Sequence, residues 1–423
     1  MFKPTSENFV RDWMAEIAVI SVSGLPAVRE AIEALKARKH VVLLGGGISL
    51  EEEVELKQAA AERGLLLLGP GCGTAIIEGT GYGFTNAVRR GPVGIIGTLG
   101  TGIQEVSCLV NEVGVSHALG IGPRDLSQLV NGSGMLSALK FLEADEATKV
   151  IVIVAKFPPT SVARRVFEAV KGVGKPAVGC FLGGEASMIS KAGITPALTL
   201  EDAATKAAAL VRGREPKEII FTQLPREVKV RAEHEHGRFG YGQKYIRGLF
   251  SGSGLCTEAM VILQEFVRDV YSNVPLHPRL RLPDPRSSKC HACIDFEEEA
   301  LGRETPHPIV DLSPRCERML KEAKNWDTAV ILLDVVLGQG AHPDPAGELV
   351  NAVEEAKHIT DRERGYLSVV ASVTGTPQDP QDVVAQRKKL EKAGVVVMSS
   401  NAHAAQIAAL IATRGKVWKK LKR

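Results

Sequence analysis

The stretch Gly91–Val106, GPVGIIGTLGTGIQEV, runs from a short apolar segment through glycine and threonine into residues with helical spacing. A helix start carries unpaired backbone N–H groups and the positive end of the helix dipole, so such a loop suits a phosphate or a carboxylate. Gly100 and Gly102 let the backbone approach a ligand closely, and Thr98 and Thr101 add hydroxyl donors. The same kit returns in RGLFSGSGLCTEAM, Arg247–Met260, where Ser251, Gly252, Ser253 and Gly254 form the loop. Laid over each other, Thr98 falls on Ser251 and Glu105 on Glu258. Neither loop is a Walker A motif, which needs lysine directly after its last glycine. A pair of such loops predicts a small anionic substrate that carries or exchanges a phosphate or carboxylate. Tight packing without a ligand is the competing explanation.

Other residues could do chemistry near these loops. Arg124 and Asp125 follow the apolar run HALGIG and could face a substrate or form a surface ion pair. His307, Asp311 and Arg315 lie in HPIVDLSPR, where Arg315 could clamp a carboxylate through two hydrogen bonds and where helix capping is the alternative. Asp334 lies in the apolar run ILLDVVLG, with Gly338, Gly340 and Asp344 beyond its end. That end is the carboxyl edge where open parallel sheets bind ligands, although Asp334 could instead orient a loop. Cys290 and Cys293 form a Cys-x-x-Cys that His291 and Cys316 could extend, but zinc needs four ligands and no second pair is present. No metal site is predicted there, a reduced β-hairpin being expected, and His234 and His236 are assigned to a linker. Cys72 and Cys256 are expected to be packing residues.

These candidates need elements to hold them. Apolar runs of four to six residues alternate with helical patterns from the start of the chain, which implies parallel strands covered on both faces. Residues 1–88 are expected to form a partial Rossmann-type unit whose second helix opens with a Ser49, Glu52 capping box. The pattern restarts at 91–212 and again at 247–423, with the last strand-to-helix unit opening on Lys-Ala-Gly at Lys191 and Lys392. An internal duplication accounts for the shared order. The fold class is therefore α/β, a partial Rossmann-type unit followed by two open parallel-sheet domains. Residues 213–246, rich in charge, glycine and proline, are expected to be a surface linker, and a hairpin is expected to be inserted near 275–305.

The 423 residues exceed one hydrophobic core, and 44% apolar with 24% charged residues is ordinary for a folded protein. A net charge of +3 is too small to imply a nucleic-acid or membrane surface as partner. The sequence has no apolar run of membrane-spanning length and no signal-peptide pattern at its start, so a cytoplasmic location is expected. Seven scattered cysteines fit reduced thiols.

Several stretches carry a family resemblance: SLEEEVELK, GLLLLGPGCGTAIIEGT, GTGIQE, GIGPRDLS, GLFSGSGLC, HPIVD, TAVILLDVVLGQGAHPDPA and VTGTPQDPQ. Their order resembles the succinyl-CoA synthetase superfamily, with α-type and β-type ligase modules fused, and within it the acyl-CoA synthetase-like FdrA branch; the resemblance implies that 1–88 is a partial Rossmann-type, CoA-binding-like unit and that 91–212 and 247–423 are flavodoxin-like, ligase-type domains. In the synthetases the helices beginning at the two loops point at the active-site phosphate, which implies that role for Thr98 to Gly102 and Ser251 to Gly254. The family's phosphorylated histidine lies near FLGGEASM, yet the sole histidine between 91 and 212 is His117, well upstream. The family's glutamate after VIVIVA is replaced by Lys156. No phosphohistidine is expected. The FdrA branch includes subunits of an oxamate carbamoyltransferase, which interconverts oxalurate plus phosphate with oxamate plus carbamoyl phosphate. The resemblance thus implies carbamoyl phosphate or phosphate as ligand, and a hetero-oligomer with two companion subunits or a homodimer. An acyl-CoA synthetase of the ADP-forming type and a non-catalytic scaffold are the alternatives. CoA is disfavoured, because the family's acidic or amide residue is Gly71 here and its glycine before RDLS is Pro123.

Overall fold

The structure is a computed structural model, and it describes residues 16–217, 225–298, 306–363 and 365–418. The chain divides into two compact units, one built from residues up to Leu198 with Ala203–Pro216, the other from Thr199–Asp202 with residues from Lys217 onward.

In the first unit, β1 (Ile17–Ile20), α1 (Leu25–Lys36), β2 (His40–Leu43), α2 (Leu50–Glu62) and β3 (Leu67–Leu68) make a three-stranded parallel sheet in the order β1-β2-β3. The capping box forms as expected: the Ser49 hydroxyl accepts from the Glu52 N–H, and the Glu52 carboxylate accepts the Ser49 N–H at 2.7 Å. The rest of the unit follows as β4 (Thr74–Ile77), β5 (Thr80–Gly83), β6 (Arg90–Gly97), α3 (Gly100–Leu109), β7 (Val115–Gly120), α4 (Ser133–Ala144) and β8 (Val150–Lys156). After these come α5 (Thr160–Gly172), β9 (Ala177–Leu182), α6 (Ala186–Lys191), β10 (Thr195–Pro196) and α7 (Leu200–Val211), of which Leu200–Asp202 group with the second unit.

The second sheet runs β10-β9-β8-β6-β7-β4-β5. Its parallel strands, taken in chain order from β6, stand in the flavodoxin-like order 2-1-3-4-5. The first block was expected to extend to residue 88, but β4 pairs antiparallel with β7 and β5 with β4, so residues 74–83 extend the second sheet. A hairpin fits there because β7 would otherwise be a bare edge.

The second unit contains α8 (Pro225–His236), β11 (Tyr245–Phe250), α9 (Ser253–Val267), β12 (Val270–Ser272), β13 (His291–Asp295), α10 (Ser313–Ala323) and β14 (Thr328–Val336). It closes with α11 (Pro345–Arg362), β15 (Ser368–Thr374), α12 (Val383–Lys392), β16 (Val396–Met398) and α13 (Asn401–Ala412). Its parallel sheet runs β12-β13-β11-β14-β15-β16. All nine residues of β14 are buried, as expected of a central strand covered on both faces.

Two expectations are corrected here. The insertion near 275–305 contributes no hairpin in its described part: His291–Asp295 is a parallel strand lying between β12 and β11, with Ala292, Cys293 and Ile294 in the core. It takes the place beside β11 that β7 takes beside β6, and β12 is moved to the edge. The linker is likewise partly structured, since α8 buries Val228, Ala232 and Glu235. Glu235 accepts hydrogen bonds from Tyr366 at 2.9 Å and Ser368 at 2.7 Å. Its charge-rich sequence hides this because only one stripe of the helix faces the core.

Candidate functional site

In a sheet of 2-1-3-4-5 order the strand connections diverge between the first and third strands, leaving a crevice beyond their carboxyl ends. In the first unit that crevice lies between β6 and β8; in the second, where the inserted β13 makes the order 2-3-1-4-5-6, the connections diverge between β11 and β14. Both glycine and hydroxyl loops sit there.

In the first unit Thr98 and Leu99 join β6 to α3, and the Thr98 N–H donates to the Val154 carbonyl at 3.0 Å. A Cβ on Gly97 would stand 2.7 Å from that carbonyl and 2.8 Å from Ile103, so glycine lets α3 pack this close to β8. No side chain caps the start of α3. Gly100 has space around it: the nearest atom to an added Cβ would be Thr74 Oγ1 at 3.6 Å, with Gly73 at 3.8 Å. Thr101 and Gly102 are buried in the first turn. Lys156 ends β8 with an exposed side chain, one strand away from the loop. Gly71, at φ 69°, faces Pro123: a Cβ there would meet the proline ring at 3.5 Å, so the two departures from the family pattern occupy one spot.

The second loop is held from below. The Ser251 N–H donates to Asp334 Oδ1 at 2.9 Å, and the Ser251 hydroxyl donates to Asp334 Oδ2. Arg315 is 2% exposed and donates to Asp334 Oδ1 at 3.0 Å and to the Leu249 carbonyl at 3.1 Å. Arg315 is therefore a buried counter-ion and cannot clamp a substrate carboxylate; Asp334 orients the loop. Gly252 and Gly254 flank the N–H of Ser253, which already donates to an anion, Glu297 Oε2, at 3.1 Å. Glu297 Oε1 lies 3.5 Å from His307 Nε2. A carboxylate of the chain thus rests on the start of α9, where a negative charge is favoured.

The remaining predicted residues separate by role. Asp125 is fully buried, accepts the N–H groups of Gly134 at 2.7 Å and Met135 at 3.0 Å, and pairs with Lys57 at 2.6 Å. It caps α4 and does not face a ligand. Arg124 pairs with buried Glu53 at 2.9 Å, so both charges tie α2 to the second sheet. Asp311 accepts the Ser313 N–H at 3.0 Å at the start of α10, and its hydrogen bonds to Ser313 hold its carboxyl below the usual range. Asp344 caps α11 through the Gly347 N–H and pairs with Lys389. Burial pushes its carboxyl up, but Lys389, Gln386 and the Gly347 N–H outweigh this and leave it lowered. Gly338, at φ 117°, exchanges two hydrogen bonds with the Gln381 amide, and Gly340 turns the chain at φ 78°.

Cys72 and Cys256 are buried, and burial pushes Cys72 up to about 12. Cys293 is likewise raised to about 12 by burial, and the His291 ring accepts the Ile246 N–H at 3.2 Å. Among the described residues there is no cluster of three metal-ligating side chains, and none of their helices is long and apolar enough to cross a membrane. His234 and His236 lie on α8. His117 lies near the amino end of β7, beside Glu78 and 3.4 Å from Asp145, so it is at the opposite edge of the sheet from the α3 loop. Sequence reasoning missed Glu297 and Thr74 and weighed Lys156 only as a departure. The charge reversal at Lys156 was the one signal that could have marked it.

The CoA binding domain family model matches residues 88–183, and the CoA-ligase model matches residues 249–411. The first match falls on the block that sequence reasoning assigned to an α-type ligase module, not on residues 1–88. The chain is 40% identical over 405 residues to YahF of Escherichia coli (strain K12), described as uncharacterized, covering 95% of this chain and 78% of that one. Among solved structures it is similar to a dinucleotide forming acetyl-coenzyme A synthetase 1 of Ca. Korarchaeum cryptofilum, at 19% identity and a TM-score of 0.38 over 95% of this chain and 84% of that one. It is also similar to the ATP citrate lyase of Methanothrix soehngenii solved with citrate and coenzyme A, at 13% identity and a TM-score of 0.41 over 97% and 81% of the two chains. The chain belongs to the same family as YahF and carries CoA-binding and CoA-ligase domains of the succinyl-CoA synthetase-like type.

Proposed function

We propose that this protein is an FdrA-type subunit of an acyl or carbamoyl transfer enzyme, and that it works without a phosphohistidine. The concrete reaction is oxalurate plus phosphate to oxamate plus carbamoyl phosphate. The observation that carries this reading is the repeated loop at the two topological switch points, with a side-chain carboxylate seated on the start of α9. A helix start that already holds a carboxylate has the donors needed for a phosphate or a carboxylate substrate. Lys156 adds positive charge at the carboxyl edge beside α3, where the family pattern has an acid. The position of His117 at the other edge of its sheet supports the absence of phosphohistidine chemistry. Carbamoyl phosphate is a mixed anhydride, and donors aimed at its phosphate and at the attacked carbonyl would lower the barrier by a few kcal/mol, as in other oxyanion sites, roughly 3 kcal/mol per donor.

A second reading, an acyl-CoA synthetase, is favoured by the matches to CoA-binding and CoA-ligase domains. Gly71 and Pro123, so placed that a Cβ added at Gly71 would meet the proline ring at 3.5 Å, support the first reading, since they are the two departures on which the resemblance disfavours CoA. Thermal unfolding separates the two. Phosphate or carbamoyl phosphate at about 100 times its Kd is expected to add about 2.7 kcal/mol to stability, with CoA and ATP without effect. A shift with CoA or ATP alone would establish the ligase, and no shift with any of them would establish a scaffold. In Glu297→Gln, which leaves the start of α9 without its resident charge, phosphate is expected to bind about two- to fivefold more tightly.

A further inference from the structure

Beyond the carboxyl end of β16, a hydroxyl, an imidazole and a carboxylate stand in series. Ser399 directly follows the strand and is half-buried, and its Oγ lies 2.7 Å from Nδ1 of His403 in the first turn of α13. Nε2 of His403 lies 3.1 Å from Oε2 of Glu201, one of the four residues 199–202 that cluster with the second unit. His403 is 1% and Glu201 7% exposed, so their interaction is little screened by water. A carboxylate beside Nε2 favours the proton on that nitrogen and leaves the Nδ1 lone pair facing the Ser399 hydroxyl. Ser400 fixes the carboxylate by donating to it at 2.7 Å, and it also caps α13 by accepting the His403 N–H. The helix is therefore capped without Ser399. Asn401 donates to the Leu255 carbonyl at 3.0 Å, which binds the start of α13 to the first turn of α9 and its anion-binding end.

We infer that Ser399 is a nucleophile that accepts the acyl group of an activated donor, a thioester or a carboxylic–phosphoric anhydride. The inference rests on the acyl-transfer reading and gives it a covalent intermediate. Ser399 Oγ attacks the carbonyl carbon while its proton passes to His403 Nδ1, and Glu201 stabilises the imidazolium. The new C–O bond forms, the bond to sulfur or to the phosphate oxygen breaks, and the leaving group takes the proton from His403. Phosphate or water then attacks the serine ester, and Ser399 recovers its proton through His403.

The full-length protein treated with p-nitrophenyl acetate, and separately with diisopropyl fluorophosphate, is expected to carry one label, mapped by peptide mass spectrometry to Ser399. Ser399→Ala should lose it. Glu201→Gln and His403→Gln should slow labelling by about a hundredfold, the scale of general-base assistance. Circular dichroism identifies a variant that has merely unfolded, and Ser399→Ala, which changes a half-buried hydroxyl, keeps the test valid if His403→Gln does not fold. An unlabelled Ser399 in the wild type, or equal labelling rates in folded Glu201→Gln and wild type, overturns the inference. The phosphate-induced rise in Tm, measured in Ser399→Ala, reports the anion sites alone. Its survival alongside an unlabelled wild-type Ser399 removes the nucleophile and keeps the acyl-transfer reading, and its loss alongside a labelled Ser399 does the reverse.

Discussion

Replacing Asp334 by alanine removes both acceptors of Ser251 and leaves the Arg315 guanidinium buried beside two carbonyls without its counter-charge. Breaking a buried pair from one side costs about 3–5 kcal/mol, and that loss is expected in the denaturant midpoint of Asp334→Ala. Were Arg315 a substrate clamp, the same substitution would leave stability near that of the wild type. Arginine and aspartate near a glycine loop look alike in sequence whether they serve a ligand or a helix. The difference lies in burial: Asp125, Asp334 and Arg315 are enclosed, while Lys156 is open to solvent.

Strand β13 makes the same point for a whole element. KCHACID sits among prolines and arginines, and its paired cysteines suggest a hairpin or a metal site. Its pairing with both β11 and β12 instead makes it an inner strand, with Cys293 and Ile294 fully buried. Ile294→Ala is expected to cost about 2–5 kcal/mol, measured by urea unfolding, because the cavity would open inside the sheet. A change on a peripheral hairpin would stay within about 0.5 kcal/mol. Local pattern does not reveal which partner a strand will find, since five residues of parallel strand need a neighbour from elsewhere in the chain. The two glycine and hydroxyl loops are different: strand, glycine turn and helix are contiguous, so their order is written in the chain.

For the molecule as a whole, buried and half-buried histidines contribute to the response to acid. Burial lowers His40 and His117 below their ordinary value, and burial with Arg247 and Lys244 nearby takes His291 down to about 4. Below about 6.5, the ordinary imidazole value, the unfolded chain takes up protons that these folded rings refuse, so stability falls as pH falls. For His291 the loss runs from about pH 6.5 down to its folded value of about 4 and amounts to about 3 kcal/mol, with no further loss below it. His291→Asn keeps an acceptor for the Ile246 N–H and is expected to flatten that part of a stability-against-pH curve measured by urea unfolding.

The strand, glycine turn and helix around Thr98 and around Ser251 and the Ser49 cap were determined by the sequence, because each depends on residues close together in the chain; the 74–83 hairpin, β13 and α8 were not. Which charges face a ligand was decided only by the tertiary structure. Asp334 meets Ser251 across 83 residues, and Glu297 meets Ser253 across 44. A carboxylate becomes a cap, a counter-ion or a ligand-facing group according to what the fold brings within hydrogen-bonding distance, and the chain's local pattern carries no record of that.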